Sequence, residues 1–329
     1  MSIIAELVAA QARDRPGAPA LLAPGRHPAS YADLAAQLRR CAEAFREAGL
    51  GAWARVALVP PDGHEAAAAY LSVAAQGHCV ALPVRSTAGD VLPWISGPRI
   101  AALVAPPGIA RGLQATARAA GLALFEIDAD PDRPAGCFEL LCLAEARRAR
   151  TRDTHDHARR RRPSPAAGCR AMVARLGLTA DDRCMNLMAS ADRAILTDEL
   201  LATVATGGST VCVSETEDAA FFDWVADFQP TWYTATPAAH RGVLRRARCY
   251  RQHAPAHLFR FAHSARDGLS PTEVRELERL LDAPVVGPCD DRSGGTDADR
   301  VATYNSPSEP GRIDVALQSR VQTPARAYR

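Results

Sequence analysis

Short apolar runs, each about the length of a buried strand, alternate with longer segments of helical period along most of this chain. The runs are "ARVALV", "CVALP", "IAALVAP" and "LALFEID" in the first half, then "CMNLMA", "STVCVS", "TWYTAT", "LFRFAHS" and "APVVG" in the second. Short runs that are mostly apolar on both faces suit the strands of a parallel sheet covered by helices. The segments between them carry helical stripes. "SYADLAAQLRRCAEAFREAGLG" sets Tyr31, Leu34, Leu38, Cys41, Phe45 and Leu50 on one face, with Ser30 placed to cap its start and Gly49 to stop it. The rhythm is βαβ, and it predicts an α/β fold of two stacked subdomains with largely parallel sheets. The expected boundaries are residues 1–150 and 169–287, with an irregular stretch at 151–168 between them and irregular sequence from 288 to 329, where only "RIDVAL" reads as a strand.

A chain of 329 residues with 47% hydrophobic content has enough apolar mass for two such cores. Its formal charge of +2 is the small difference between 39 basic and 37 acidic residues, so the overall field demands neither nucleic acid nor an anionic membrane. All 39 basic residues are arginine, which excludes any mechanism that relies on a lysine ammonium of this chain. The nine cysteines are scattered without a CxxC pair, and "MSIIAELVAAQARDRP" lacks the basic start and long apolar run of a signal peptide. Free thiols in a reducing cytoplasm are expected. No apolar stretch reaches the roughly 20 residues needed to cross a bilayer, so no membrane partner is expected.

The segment "THDHARRRRPSPAAGC" breaks the pattern, with four consecutive arginines, Arg159, Arg160, Arg161 and Arg162, and almost nothing to bury. The segments around it resemble, in order, the large N-terminal domain of the AMP-binding, acyl-adenylate-forming superfamily of acyl-CoA synthetases, luciferases and peptide-synthetase adenylation domains. The resemblance rests on "SYADLAAQLRRCAEAFREAGLGAWARVALVPPDGHEAAAAYLSVAAQGHCVALP", "LGLTADDRCMNLM", "LLATVATGGSTVC", "FFDWVADFQPTWYTATPAAH" and "LSPTEVRELERLLDAPVV", and it covers residues 4–286 apart from the arginine-rich gap. It implies the fold of the acyl-CoA synthetase N-terminal domain, acid-CoA ligase or acyl-adenylating activity, and ATP, Mg²⁺ and CoA as the family's cofactors.

Three elements carry the chemistry in that family. A phosphate loop rich in Ser, Thr and Gly cradles the ATP phosphates with backbone N–H groups. In its place stands "TRDTHDHARRRRPSPAAGC", with the single glycine Gly168. A Tyr-Gly-x-Thr-Glu stretch holds the α-phosphate and metal; Cys289, Asp290, Asp291, Arg292 and Ser293 fall across it, leaving Asp290 and Asp291 as candidate Mg²⁺ ligands. An aromatic-His stretch gates the acyl pocket, and Ala191 and Asp192 stand at those positions. Thr236, Pro237 and His240 in "TATPAAH" keep the pattern found beside the family's substrate pocket, although a capped helix start explains Thr-Pro equally well. The chain is also expected to lack the family's small C-terminal domain and its catalytic lysine.

Other chemistries fit less well. Cys137, Cys142, His155 and His157 have zinc-ligand types but no standard spacing. The arginine run from Arg147 to Arg162 has no interleaved aromatics for stacking bases, so nucleic acid is not the expected partner. No G-x-S-x-G elbow occurs, and His263-Ser264 near Asp267 is the nearest approach to a hydrolase constellation. Two readings stay open. One is a degenerate homologue that needs no cofactor, does not adenylate by itself, and binds an anionic small molecule, a CoA or carrier-protein arm, or an acidic protein through Arg159–Arg162. The other is an acid-CoA ligase or adenylation enzyme with an atypical phosphate site, or one completed in trans by a separate C-terminal domain. A frameshifted product is a third origin for the anomalous stretches.

Overall fold

The computed structural model describes residues 2–51, 54–61, 63–83, 86–95, 100–146, 165–187, 193–213, 220–247, 259–265 and 267–287. The chain divides into two compact units, Met1–Arg162 with Ala189–Leu196, and Pro163–Met188 with Thr197–Arg329. No helix among the described residues is long and apolar enough to cross a membrane.

The first unit opens with α1 (Ile3–Asp14), capped by the Ser2 hydroxyl, which accepts from Ala5 N at 3.3 Å. An antiparallel pair follows, β1 (Pro19–Leu22) and β2 (Ala29–Ser30). Ser30 then starts α2 (Tyr31–Glu47) with a reciprocal capping box, its hydroxyl accepting from Asp33 N and the Asp33 carboxylate from Ser30 N. The rest alternates: β3 (Arg55–Leu58), α3 (Ala66–Gln76), β4 (His78–Ala81), α4 (Ala88–Ile95), β5 (Ala102–Ala105), α5 (Pro107–Ala120), β6 (Ala123–Asp128) and β7 (Glu139–Ala144). The sheet order is β4-β3-β5-β6-β7, parallel throughout until β7, which runs antiparallel to β6. The parallel expectation therefore holds for four strands. The "FELLCLAEA" stretch, readable as strand or helix, is the antiparallel edge strand. One face of the sheet packs Leu103, Leu124, Ala57 and Val59 against Val91 and Ile95 of α4 and Leu113 of α5. On α2, Phe45 meets Phe125 of β6 with ring centroids 5.0 Å apart, a contact worth about 1 kcal/mol beyond its burial.

The second unit holds α6 (Pro165–Leu176), β8 (Arg183–Leu187), α7 (Arg193–Thr206, in this unit from Thr197 onward), β9 (Ser209–Cys212), α8 (Phe221–Phe228), β10 (Trp232–Ala235), α9 (Pro237–Ala247), β11 (Phe261–Ser264), α10 (Pro271–Leu281) and β12 (Val285–Val286). Its strands run β12-β11-β10-β8-β9, all parallel. Helix α6 begins at Pro165, inside the stretch expected to be irregular to Gly168; a proline fits a first helical position because its missing N–H has no helical partner there. The remaining irregular spans expected, at 151–164 and 288–329, lie outside the described residues.

Strand alternation separates the helices of this unit onto two faces. Tyr233 on β10 meets Phe221 of α8 at 5.4 Å and His240 of α9 at 5.2 Å, whereas its neighbour Thr234 bonds to Glu199 of α7. At the far end of the strands, Asp182 ties the entry of β8 to its neighbours. Its carboxylate accepts from Thr179 N at 2.7 Å, from Thr231 Oγ1 at 2.7 Å and from the Arg260 guanidinium. Gly208, between α7 and β9, sits so close to this turn that a Cβ would stand 2.6 Å from the Asp182 carbonyl oxygen.

Candidate functional site

In an open parallel sheet, ligands bind outside the carboxyl ends of the strands, where the following loops and helix starts converge. In the second unit that edge is formed by Leu187, Ala235 and Ser264, which are aligned in register across β8, β10 and β11. One step back from the edge, Asn186, Thr234 and His263 form a polar row across the same three strands.

Thr234 is the centre of that row. Its hydroxyl donates to Glu199 Oε1 at 3.0 Å and lies 3.1 Å from His263 Nδ1, which is itself 3.1 Å from Glu199 Oε1. Thr234 has only one hydroxyl proton, and it goes to the carboxylate. The proton between His263 and these two oxygens therefore sits on Nδ1. The side chains of His263 and Glu199 are 2% and 1% exposed. Beneath them the Cys184 thiol is pushed well above the usual thiol range by burial, and the Glu199 carboxylate acts in the same direction. Cys184 is thus an inert thiol and no nucleophile.

The opposite face of β10 carries a second buried polar pair. Tyr233 OH and His240 Nδ1 are 2.8 Å apart. Burial raises the Tyr233 hydroxyl and pushes the His240 imidazole down to about 3, so the tyrosine keeps its proton and donates it to a neutral ring. The remaining ring proton of His240 is then on Nε2. His240 is entirely buried and its ring belongs to the aromatic core with Tyr233.

The residues singled out from the sequence are thus brought together as one helix start. Thr236 accepts from Ala239 N at 3.2 Å through its hydroxyl and from His240 N at 2.9 Å through its carbonyl, and Pro237 opens α9. Pro237 has no N–H, and the Ala239 N–H is taken by Thr236, so this helix start keeps few donors for a phosphate. Arg159, Arg160, Arg161 and Arg162, together with Asp290 and Asp291, lie outside the described residues, as do Ala191, Asp192, His155 and His157. Among the described residues no cluster of three or more His, Cys, Asp or Glu side chains is placed to hold a metal ion. Cys137 is buried and Cys142 exposed, and none of the seven described cysteines is in a disulfide.

Sequence reasoning did not find the Glu199–Thr234–His263 cluster. The signal for it was faint: a threonine and a histidine at one register of two strands that are otherwise apolar.

No family model matches the sequence, and no curated protein matches it. Solved structures do match. Apo MatB from Rhodopseudomonas palustris superposes with a TM-score of 0.66 at 21% identity, over 86% of this chain and 59% of that one. IdnL1 gives 0.63 at 19%, over 86% of this chain and 58% of that one. The N-terminal domain of FACL13 from Mycobacterium tuberculosis gives 0.65 at 16%, over 87% of this chain and 75% of that one. The chain spans about three fifths of the length of MatB and IdnL1. These neighbours are adenylate-forming enzymes, and the likeness is one of fold: the chain has the mixed α/β architecture of the acyl-CoA synthetase N-terminal domain.

Proposed function

We propose that this chain is a pseudoenzyme of the acyl-adenylate-forming fold: it keeps the scaffold, does not adenylate carboxylic acids by itself, and serves as a binding or interaction module. One observation carries the reading. The connection from β7 to α6, residues 145–164, where the family's phosphate loop belongs, is rich in arginine and contains no glycine. A tight nest of backbone amides needs glycine and small hydroxyl residues, and guanidinium groups supply charge without that geometry. Loss of one fixed donor at a reacting centre costs about 3 kcal/mol, and the loop supplies several.

The occupied helix start at Thr236 and Pro237 supports the same reading. Arginine forks are suited to stable recognition of phosphate or carboxylate, so the partner is an anionic group, such as a CoA or carrier-arm phosphate or an acidic protein surface, met by Arg159–Arg162. Described cysteines outside any disulfide, in a sequence with no CxxC pair, fit a protein of the cytoplasm.

The test is ATP–pyrophosphate exchange with a panel of small carboxylic acids, alongside calorimetry with ATP and Mg²⁺. No exchange is expected, and no ATP dissociation constant below about 100 μM, which corresponds to roughly −5.5 kcal/mol. Exchange above background by the chain alone transfers the assignment to a ligase with an atypical phosphate site, and exchange only with a separately supplied C-terminal domain transfers it to an enzyme completed in trans.

A further inference from the structure

The first unit contains a groove that none of the preceding chemistry uses. It has a volume of about 580 Å³ and is bounded by α1, α2, α3 and the start of β3. Its floor is apolar, formed by Val8, Leu38, Phe45 and Val56. Its rim carries Arg39 and Arg46, both exposed and seven residues apart on α2, hence on one face about 10.5 Å from each other. Two further polar side chains reach the wall, and each is engaged within the fold: the Ser2 hydroxyl caps α1, and Gln76 Nε2 donates to Leu38 O at 3.3 Å. Among the described residues no carboxylate lines the groove, and neither the Arg39 nor the Arg46 guanidinium has an ion-pair or hydrogen-bond partner.

We infer that this groove binds a single-chain amphiphilic carboxylate, with the apolar chain on the floor and the carboxylate held at the rim by Arg39 or Arg46. The volume is that of a small-molecule site, within the roughly 300–1,000 Å³ range of ligand pockets. Its chemistry is complementary to one class of occupant. An apolar floor rejects a fully polar anion, and a rim with two guanidinium groups and no acid rejects a cation. The guanidinium fork matches a carboxylate with two parallel N–H donors. The inference does not rest on the reading of the nucleotide region, because every described lining residue belongs to the first unit and none to the segments where the family holds ATP.

The experiment is isothermal titration calorimetry of the full chain with dodecanoate at concentrations below its aggregation point, with dodecanol and dodecyltrimethylammonium as neutral and cationic counterparts. One dodecanoate is expected to bind per chain with a micromolar dissociation constant, and both counterparts at least roughly tenfold more weakly, since a charge-assisted hydrogen bond is worth about that factor. The double substitution Arg39→Ser with Arg46→Ser is expected to weaken dodecanoate at least roughly tenfold at an unchanged melting temperature, because both side chains are exposed. Ala42→Trp, which fills the groove, should abolish binding; if that variant does not fold, the arginine pair alone decides. Absence of dodecanoate binding, equal binding by the double variant, or equal binding of the neutral and cationic chains overturns the inference. So does an acidic amphipathic peptide that binds where dodecanoate does not, since it would assign the groove to a protein partner.

Discussion

His263 on β11 and Glu199 on α7 meet in the interior of the second unit, Nδ1 to Oε1 at 3.1 Å, with Thr234 of the intervening strand bonded to both. The three side chains fasten a helix to the sheet directly behind its carboxyl edge. Removing one member of a buried polar cluster of this kind leaves each former partner desolvated with one interaction fewer.

Glu199→Ala should therefore destabilise the protein by about 3–5 kcal/mol, while Thr234→Val, which keeps shape and removes one hydroxyl, should cost about 1–3 kcal/mol. Urea denaturation followed by circular dichroism measures both. Equal, small losses for the two variants would show that the cluster is not coupled.

His240 gives the fold a pH dependence of definite sign. Its folded-state pKa is pushed down to about 3 by burial, whereas in the unfolded chain the ring takes up a proton near 6.5. Between those values the unfolded state binds one more proton, so this residue lowers stability as pH falls, by about 1.4 kcal/mol per pH unit below 6.5. Subtracting the pH profile of His240→Gln from that of the unaltered chain, between pH 7.5 and 4.5, isolates the slope. A difference that is flat with pH would refute it.

Gly208→Ala tests the close approach at the turn into β9. The added Cβ would stand 2.6 Å from the backbone oxygen of Asp182, which accepts from Ser209 N at 3.0 Å, and the residue has little room to yield because its carboxylate is anchored by Thr179, Thr231 and Arg260. A loss of about 1–3 kcal/mol is expected, in the range of overpacking. Thermal unfolding provides the readout, with Gly108→Ala as the control, because a Cβ at Gly108 meets nothing within 4 Å.

Replacing Arg159, Arg160, Arg161 and Arg162 together by serine should leave the melting temperature nearly unchanged and abolish binding to CoA or to an acidic partner recovered by pull-down. That binding should weaken steeply with salt, since exposed charges are screened beyond about 8 Å at physiological ionic strength. A partner held equally well by the quadruple variant, at low and at high salt, removes the role proposed for the segment.

Much of the architecture was legible in the chain. Ser30 marks the start of α2 in the sequence itself, and the structure adds Asp33 as its partner in a capping box, with a second box at Ser270 and Glu273 at the start of α10. The apolar runs fall on the observed strands, because runs buried on both faces have few alternatives to the middle of a covered parallel sheet. "FELLCLAEA" was not decidable in this way, since a short apolar run fits strand and helix alike, and its antiparallel pairing with β6 is a choice of partner, not of local pattern. At the candidate site, the sequence marked Thr236, Pro237 and His240 by their likeness to a motif, and the structure accounts for them as a capped helix start and a core histidine.

The sequence by itself therefore determined the alternation of strands and helices, the helix starts at Ser30 and at Thr236 with Pro237, and the composition of the β7 to α6 connection, because each of these is written in residues close together along the chain. Only the tertiary structure decided that Glu199, Thr234 and His263 meet, and that Arg39 and Arg46 stand at the rim of an apolar groove. Thr234 is 35 residues from Glu199 and 29 from His263, and what joins them is the order and register of parallel strands. The physical reason is that local periodicity fixes which face of an element is buried, whereas strand order, register and helix docking are settled by packing between segments distant in the chain.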